Sequence, residues 1–172
     1  YADYTRIDAS LVRNYGTYGR ADVLGLKAGS SYAVKVVPVI SGAEDASKAS
    51  EATGMTVVNY DRSGFAHLNN SGVGAYNDDG TLKSNARVLY VTASTAKTVT
   101  LDVQTGSKST STFTGLQAIL AAFEKGYETR PLDVRIIGTI TATDMDALLS
   151  SEGLQIKGKS NTVNMNITLE GV

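Results

Sequence analysis

The sequence predicts a mainly β chain whose second half begins a stacked β architecture, and three observations carry this. Short β-branched strands recur along the chain, a single strongly amphipathic helix interrupts them, and three strand-like segments after that helix each run into a glycine. A leading helix followed by short strands at solenoid-like intervals is the pattern of a capped, stacked array; three strands would also fit a small sheet.

The first third reads as strands and turns. Tyr32 to Val39 alternates and is β-branched after the turn Lys27 to Ser30. Pro38 has no N–H for a ladder, so the strand ends there or exposes that position at an edge. Ser41 to Ala52 is small and polar, which predicts a loop, and Met55 to Val58 reads as another short strand. In the middle third, Asn69 to Gly72 and Asn77 to Gly80 carry turn chemistry. Val88 to Thr92 and Thr98 to Val103 are predicted strands, and alternation at Leu101 and Val103 leaves one face of the second solvated.

The helix is the best-defined element. Leu116, Ile119, Leu120 and Phe123 form one apolar stripe at i, i+3, i+4, i+7. Thr114 with Gln117 matches a T-x-x-Q capping box, and Gly126 stands at the C′ position. Leu132 to Gly138, Leu154 to Gly158 and Val163 to Gly171 are the three strands that follow, with a helical turn expected over Thr143 to Ser151, capped by Thr143 or Asp144.

Composition narrows the chemistry. Among 172 residues there is no Cys, so no disulfide, thiolate nucleophile or zinc–cysteine site is available. One His excludes multi-histidine metal sites. A formal net charge of -1 argues against a nucleic-acid or anionic-membrane partner. No stretch approaches the roughly 20 apolar residues of a membrane helix, and Tyr1 to Arg6 shows no signal-peptide pattern.

Individual motifs are weak. Gly153 to Ser160 satisfies the G-x-x-x-x-G-K-S expression of a phosphate-binding loop, which requires a loop between its glycines and a helix after the Ser. Here Leu154 to Lys157 reads as a strand, and Val163, Met165, Ile167 and Leu169 continue at strand period, so both requirements fail. A calcium loop around Gly80 would place Ala75 and Ala86 at ligand positions, and Gly72-Val73-Gly74 lacks the third glycine of a dinucleotide fingerprint. His67 has no neighbouring Ser or Asp and reads as a structural or surface residue. The sequons at Asn69 and Asn166 read as chance matches. Tyr1, Tyr4, Tyr15 and Tyr18 are candidates either for a sugar-stacking surface or for half-buried sandwich positions.

Two resemblances add to this reading. Leu26 to Val36, with Gly29 and Tyr32, resembles the E–F corner and F strand of a fibronectin type III sandwich. It implies strands at Val23-Leu24, Tyr32 to Val39 and Met55 to Val58, a further strand near Ile7 to Val12, and a partial domain over residues 1–58. Asn59 to Ala66, Val88 to Thr92, the helix Leu116 to Lys125, Val134 to Ile140, Gly158 to Asn161 and Ile167 to Val172 resemble the N-terminal part of family 1 polysaccharide lyases, the pectate lyases.

That second resemblance implies a right-handed parallel β-helix: a β-rich connection over residues 59–112, then the capping helix and first coils over 113–172. It implies Ca²⁺-dependent β-elimination of polygalacturonate, in which the metal acidifies the C5–H and an arginine is the base, in a secreted or cell-surface bacterial enzyme. The family's catalytic and calcium-binding residues match no position here. Arg62, Asp133 and Arg135 take no role from it, so no catalytic, cofactor-binding or metal residue is assigned. The expected partners are pectin or polygalacturonate and the remainder of the β-helix, in the same or another chain. A non-catalytic polysaccharide-binding module is the alternative, and a structural adhesin fragment a third reading.

Overall fold

The computed structural model describes residues 4–58, 74–146, 153–158 and 165–172. The described residues are mainly β, in small sheets, with one α-helix among them. The first elements are a hairpin of β1 (Val12–Asn14) and β2 (Gly19–Ala21), preceded by a 3-10 turn over Ala9–Leu11. β3 (Ser31–Val36) pairs antiparallel with β6 (Ser50–Thr56), and between them β4 (Val39–Ile40) pairs with β5 (Ala43–Glu44).

The strand expected over Tyr32 to Val39 thus stops before Pro38, as its missing donor requires. The loop expected over Ser41 to Ala52 is instead a tight hairpin turn, a 3-10 turn over Ala46–Lys48 and the start of β6. Ser41 and Gly42, at φ 52° and 84°, supply the left-handed pair that a two-residue hairpin turn demands. Val23 and Leu24 form no strand, and of the strand expected near Ile7 to Val12 only its last residue is extended into β1.

The second part holds the core. β7 (Arg87–Val91), β10 (Leu132–Ile136) and β11 (Ile167–Gly171) form a three-stranded parallel sheet with β10 in the centre. The register is even: Val134 faces Leu89 on one side and Leu169 on the other. Between β7 and β10 lie the hairpin β8 (Thr100–Gln104) and β9 (Thr110–Thr114) and the helix α1 (Leu116–Phe123).

Leu116, Ile119, Leu120 and Phe123 are buried as the stripe predicts, against Leu89, Val91, Val103, Leu132 and Val134. Burying side chains of this size stabilises by about 1.5–3 kcal/mol each, so this cluster is the main source of stability in the second half. Val103 is buried while Thr100 and Asp102 are exposed, which is the one-sided strand the alternation predicted.

The helix start differs from the expected capping box. Thr114 closes β9, and Gly115 at φ 87° is the N-cap, without a side-chain cap. Two backbone carbonyls take over: Gly115 N donates to Val99 O at 2.8 Å and Leu116 N to Ala96 O at 2.9 Å. Because the fold supplies acceptors, Gln117 is released for another use. At the other end Gly126, at φ 78°, donates to Phe123 O as a C′ glycine should.

Gln117 pairs with Gln155. Its Nε2 donates to Gln155 O at 3.0 Å, and its Oε1 accepts from Gln155 N at 3.2 Å. Glu124 Oε1 accepts from Lys157 N at 2.7 Å. The strand expected over Leu154 to Gly158 is therefore not a strand: two helix side chains satisfy its backbone where a sheet neighbour would. The helical turn expected from Thr143 is a 3-10 turn over Ala142–Asp144, one residue earlier, and Thr141 N and Oγ1 both donate to Asp144 at 2.7 Å. Residues 147–151 of that expectation lie outside the described residues.

Candidate functional site

Alternation along the parallel sheet sends Leu89, Val91, Leu132 and Val134 into the core and sends Tyr90, Asp133, Arg135, Thr168 and Glu170 to the other face. That second face is covered, because the turn around Asn77 to Gly80 folds Tyr76 over it. Tyr76, Asp133 and Arg135 are all buried. Arg135 Nε donates to Asp133 Oδ2 at 2.8 Å, Nη1 to Tyr90 Oη at 2.9 Å and Nη2 to Tyr76 Oη at 3.2 Å, with Glu170 Oε1 3.4 Å from Nε. Tyr76 Oη lies 3.0 Å from Asp133 Oδ2 and also bonds Glu170.

Two carboxylates thus share one guanidinium and one phenol. A phenol has a single proton, so it serves only one carboxylate at a time. Burial, then the nearby charge of Glu170, pushes the Asp133 carboxyl up to about 6. Burial also holds the Tyr76 phenol well above its ordinary range, so it remains a donor. Asp133 Oδ1 is buried and makes no hydrogen bond among the described residues. The cluster ties β7, β10, β11 and the segment above them together, with Tyr76, Asp133 and Arg135 buried and Tyr90 and Glu170 at its partly exposed margin.

A second ionic node sits at the other end of the sheet. Burial opposes the charge of Glu128, but hydrogen bonds from Arg130, from the backbone N–H of Gln104 and Arg130, and the charge of Arg87 hold its carboxyl down at about 2. Arg87 also lies over the Phe123 ring, 5.7 Å from its centroid, so this node anchors the helix C-terminus to the start of β7.

The structure brings Asp133 and Arg135 together and adds Glu170, Tyr76 and Tyr90. Sequence reasoning missed this set, although charges spaced i, i+2 on a strand were a visible sign that they share a face. Arg62 and His67 lie outside the described residues, as do Lys159 and Ser160 of the phosphate-loop expression. Asn77 to Gly80 is the turn its chemistry predicts, with Gly80 N donating to Asn77 O. In the second sequon, Thr168 is within β11 and its Oγ1 accepts from Ala75 N at 3.0 Å.

The calcium that the resemblance implies does not fit these residues. Asp133 Oδ2 and Glu170 Oε1 are directed at Arg135 and Tyr76, and no group of three or more acidic or histidine side chains gathers among the described residues. No helix among the described residues is long and apolar enough to cross a membrane.

At the surface, Tyr15 and Tyr18 close the β1–β2 hairpin. Tyr15 N donates to Tyr18 O at 2.9 Å, and their rings stack with centroids 5.1 Å apart at 16°. They are 48% and 61% exposed. Tyr4 is also exposed, with Lys35 above its ring. No family model, curated protein or solved structure matches the chain.

Proposed function

We propose that the chain is the N-terminal portion of a pectate-lyase-like enzyme, one that cleaves polygalacturonate by Ca²⁺-dependent β-elimination with catalytic residues outside these 172 residues. One observation carries the reading. β7, β10 and β11 stack in parallel, in register, with an amphipathic helix on the same core, as expected of the capped first coils of a parallel β-helix. The backbone N–H of Lys27 donates to Tyr32 Oη at 2.9 Å, a tyrosine-corner-like bond that supports the fibronectin type III-like reading of residues 1–58. A secreted or cell-surface location and association with the rest of a β-helix belong to the same proposal.

The test is a lyase assay on polygalacturonate. The source protein is expected to release unsaturated uronate with calcium and to stop when the metal is chelated, while this chain alone gives no turnover. A source protein inactive under those conditions would sink the reading. Turnover by the isolated chain would instead refute the placement of the catalytic residues. The exposed, stacked tyrosine pair favours a second reading, a non-catalytic polysaccharide-binding module.

A further inference from the structure

We infer that Tyr15 and Tyr18 form an oxidative cross-linking site, at which a one-electron oxidant (a haem peroxidase acting with hydrogen peroxide) joins the two rings into a dityrosine and closes the β1–β2 hairpin covalently. The site does not depend on which polymer the protein meets, so it stands or falls apart from the enzyme reading.

The register that pairs Asn14 with Gly19 sets Tyr15 opposite Tyr18, and Tyr15 N donates to Tyr18 O at 2.9 Å. Gly16, at φ 86°, takes the first central position of the two-residue turn between them, where a positive φ is needed. The rings meet face to face, with centroids 5.1 Å apart and planes 16° from parallel. Two reactants already held in contact behave as if at very high concentration, which is what two short-lived radicals need in order to meet. Both rings are exposed, and a Cβ at Gly16 would meet nothing within 4 Å, so the turn is open to an oxidant. Tyr76 is buried beyond such reach.

A cross-strand aromatic pair stabilises a hairpin without any ligand, and phenylalanine would serve that role as well. The phenols add an oxidisable group to each ring. Composition favours their coupling: the chain has no Cys, whose thiolate readily reduces a tyrosyl radical, and no Trp to compete for the oxidant. It also leaves a two-stranded hairpin, marginal by itself in water, with no disulfide to staple it. In the reaction, the oxidant removes one electron and the phenolic proton from each tyrosine. The two radicals form a C–C bond between ring carbons ortho to their oxygens. The hydrogen on each bonded carbon then moves to the phenolic oxygen of its own ring, which restores both aromatic systems. The pair has lost two electrons and two protons, and one hydrogen peroxide takes them up to become two waters.

The experiment treats the 172-residue chain, at micromolar concentration, with a haem peroxidase and hydrogen peroxide, then reads intact mass, dityrosine fluorescence and a tryptic map. Cleavage after Arg13 and Arg20 places both tyrosines in one peptide, Asn14 to Arg20, which holds no Met and no His. The expected product is a monomer in which that peptide is lighter by two hydrogens and emits as dityrosine. Tyr15→Phe and Tyr18→Phe keep the ring stack, so the hairpin is retained, and each is expected to abolish the mass loss. Tyr127→Phe, at an exposed tyrosine elsewhere, is expected to leave it unchanged. Gly16→Val, which strains the turn at φ 86°, is expected to lower the yield several-fold. No cross-link in the parent chain, cross-links only between chains, or an internal link that persists in Tyr15→Phe would each overturn the inference. An undiminished yield in Gly16→Val would do the same, because the hairpin would not be what positions the rings.

Discussion

Arg135 Nε lies 2.8 Å from Asp133 Oδ2, two residues back on the same strand, and both side chains are sealed beneath Tyr76. A pair this close on one strand would be a solvated ornament on an open sheet. Buried, it becomes the junction through which β10 holds Glu170 of β11, Tyr90 of β7 and the segment that carries Tyr76.

Arg135→Gln is therefore expected to destabilise the chain by about 3–5 kcal/mol, because it strands the buried Asp133, beside the partly exposed Glu170, without its cation. Urea unfolding measures it. Arg135→Lys keeps the charge but not the planar fork that reaches Asp133, Tyr76 and Tyr90 together, so an intermediate loss is expected. A loss below 1 kcal/mol, on the scale of an exposed ion pair, for Arg135→Gln would show that the cluster is solvated.

Stability should pass through a maximum between about pH 4 and 5, set by two carboxyls with opposite shifts. Glu128 is held down at about 2 in the folded chain. Its contribution, at most about 3 kcal/mol, is fully present above its unfolded value and is lost as pH falls toward 2. Asp133 is raised to about 6, so the folded state keeps a proton that the unfolded chain releases, and stability falls as pH rises from about 4 to 6. The groups facing Asp133 are Arg135 on its own strand, Glu170 from β11 and Tyr76 from above. Unfolding midpoints across pH 2 to 8 are expected to lose the falling limb in Asp133→Asn and the rising limb in Glu128→Gln; a flat profile between pH 4 and 6 would contradict the assignment.

Gln117→Ala removes both hydrogen bonds to the Gln155 backbone, and Glu124→Ala removes the one to Lys157 N. Each change is expected to cost about 1–2 kcal/mol. The sharper readout is amide exchange, which should accelerate at Gln155 in the first variant and at Lys157 in the second. If exchange elsewhere rises equally, the segment is not held by these side chains.

Gly74 has φ 60°, and a Cβ there would collide with Thr168 Oγ1, the atom that accepts from Ala75 N. Gly74→Ala should destabilise by more than a strained backbone alone, which costs about 1–3 kcal/mol. Combining it with Thr168→Ala is expected to restore part of the loss, because the clash is with that hydroxyl. Thermal unfolding of the single and double variants checks it.

Much of the fold was legible along the chain. The stripe Leu116, Ile119, Leu120, Phe123 needs only the 3.6-residue period to declare a buried helix face. The strands at Arg87–Val91 and Leu132–Ile136 announce themselves by alternation and β-branching, and Gly126 marks the helix end because it tolerates a positive φ. These properties are local: each depends on a few neighbouring residues.

What only the tertiary structure decided depends on distant partners. Whether Thr114 and Gln117 would cap the helix turned on the carbonyls of Ala96 and Val99, which do that work and free Gln117 to hold Gln155. Whether Leu154 to Gly158 became a strand turned on Gln117 and Glu124, whose side chains take up the backbone groups of Gln155 and Lys157. Asp133 and Arg135 carry the same charges in any context. Their role follows from the parallel register that sets Arg135 beside Tyr90 and Glu170, and from Tyr76, which excludes the water that would otherwise solvate them. Alternation names the face a side chain takes; only the segment that covers that face determines what its charge is worth.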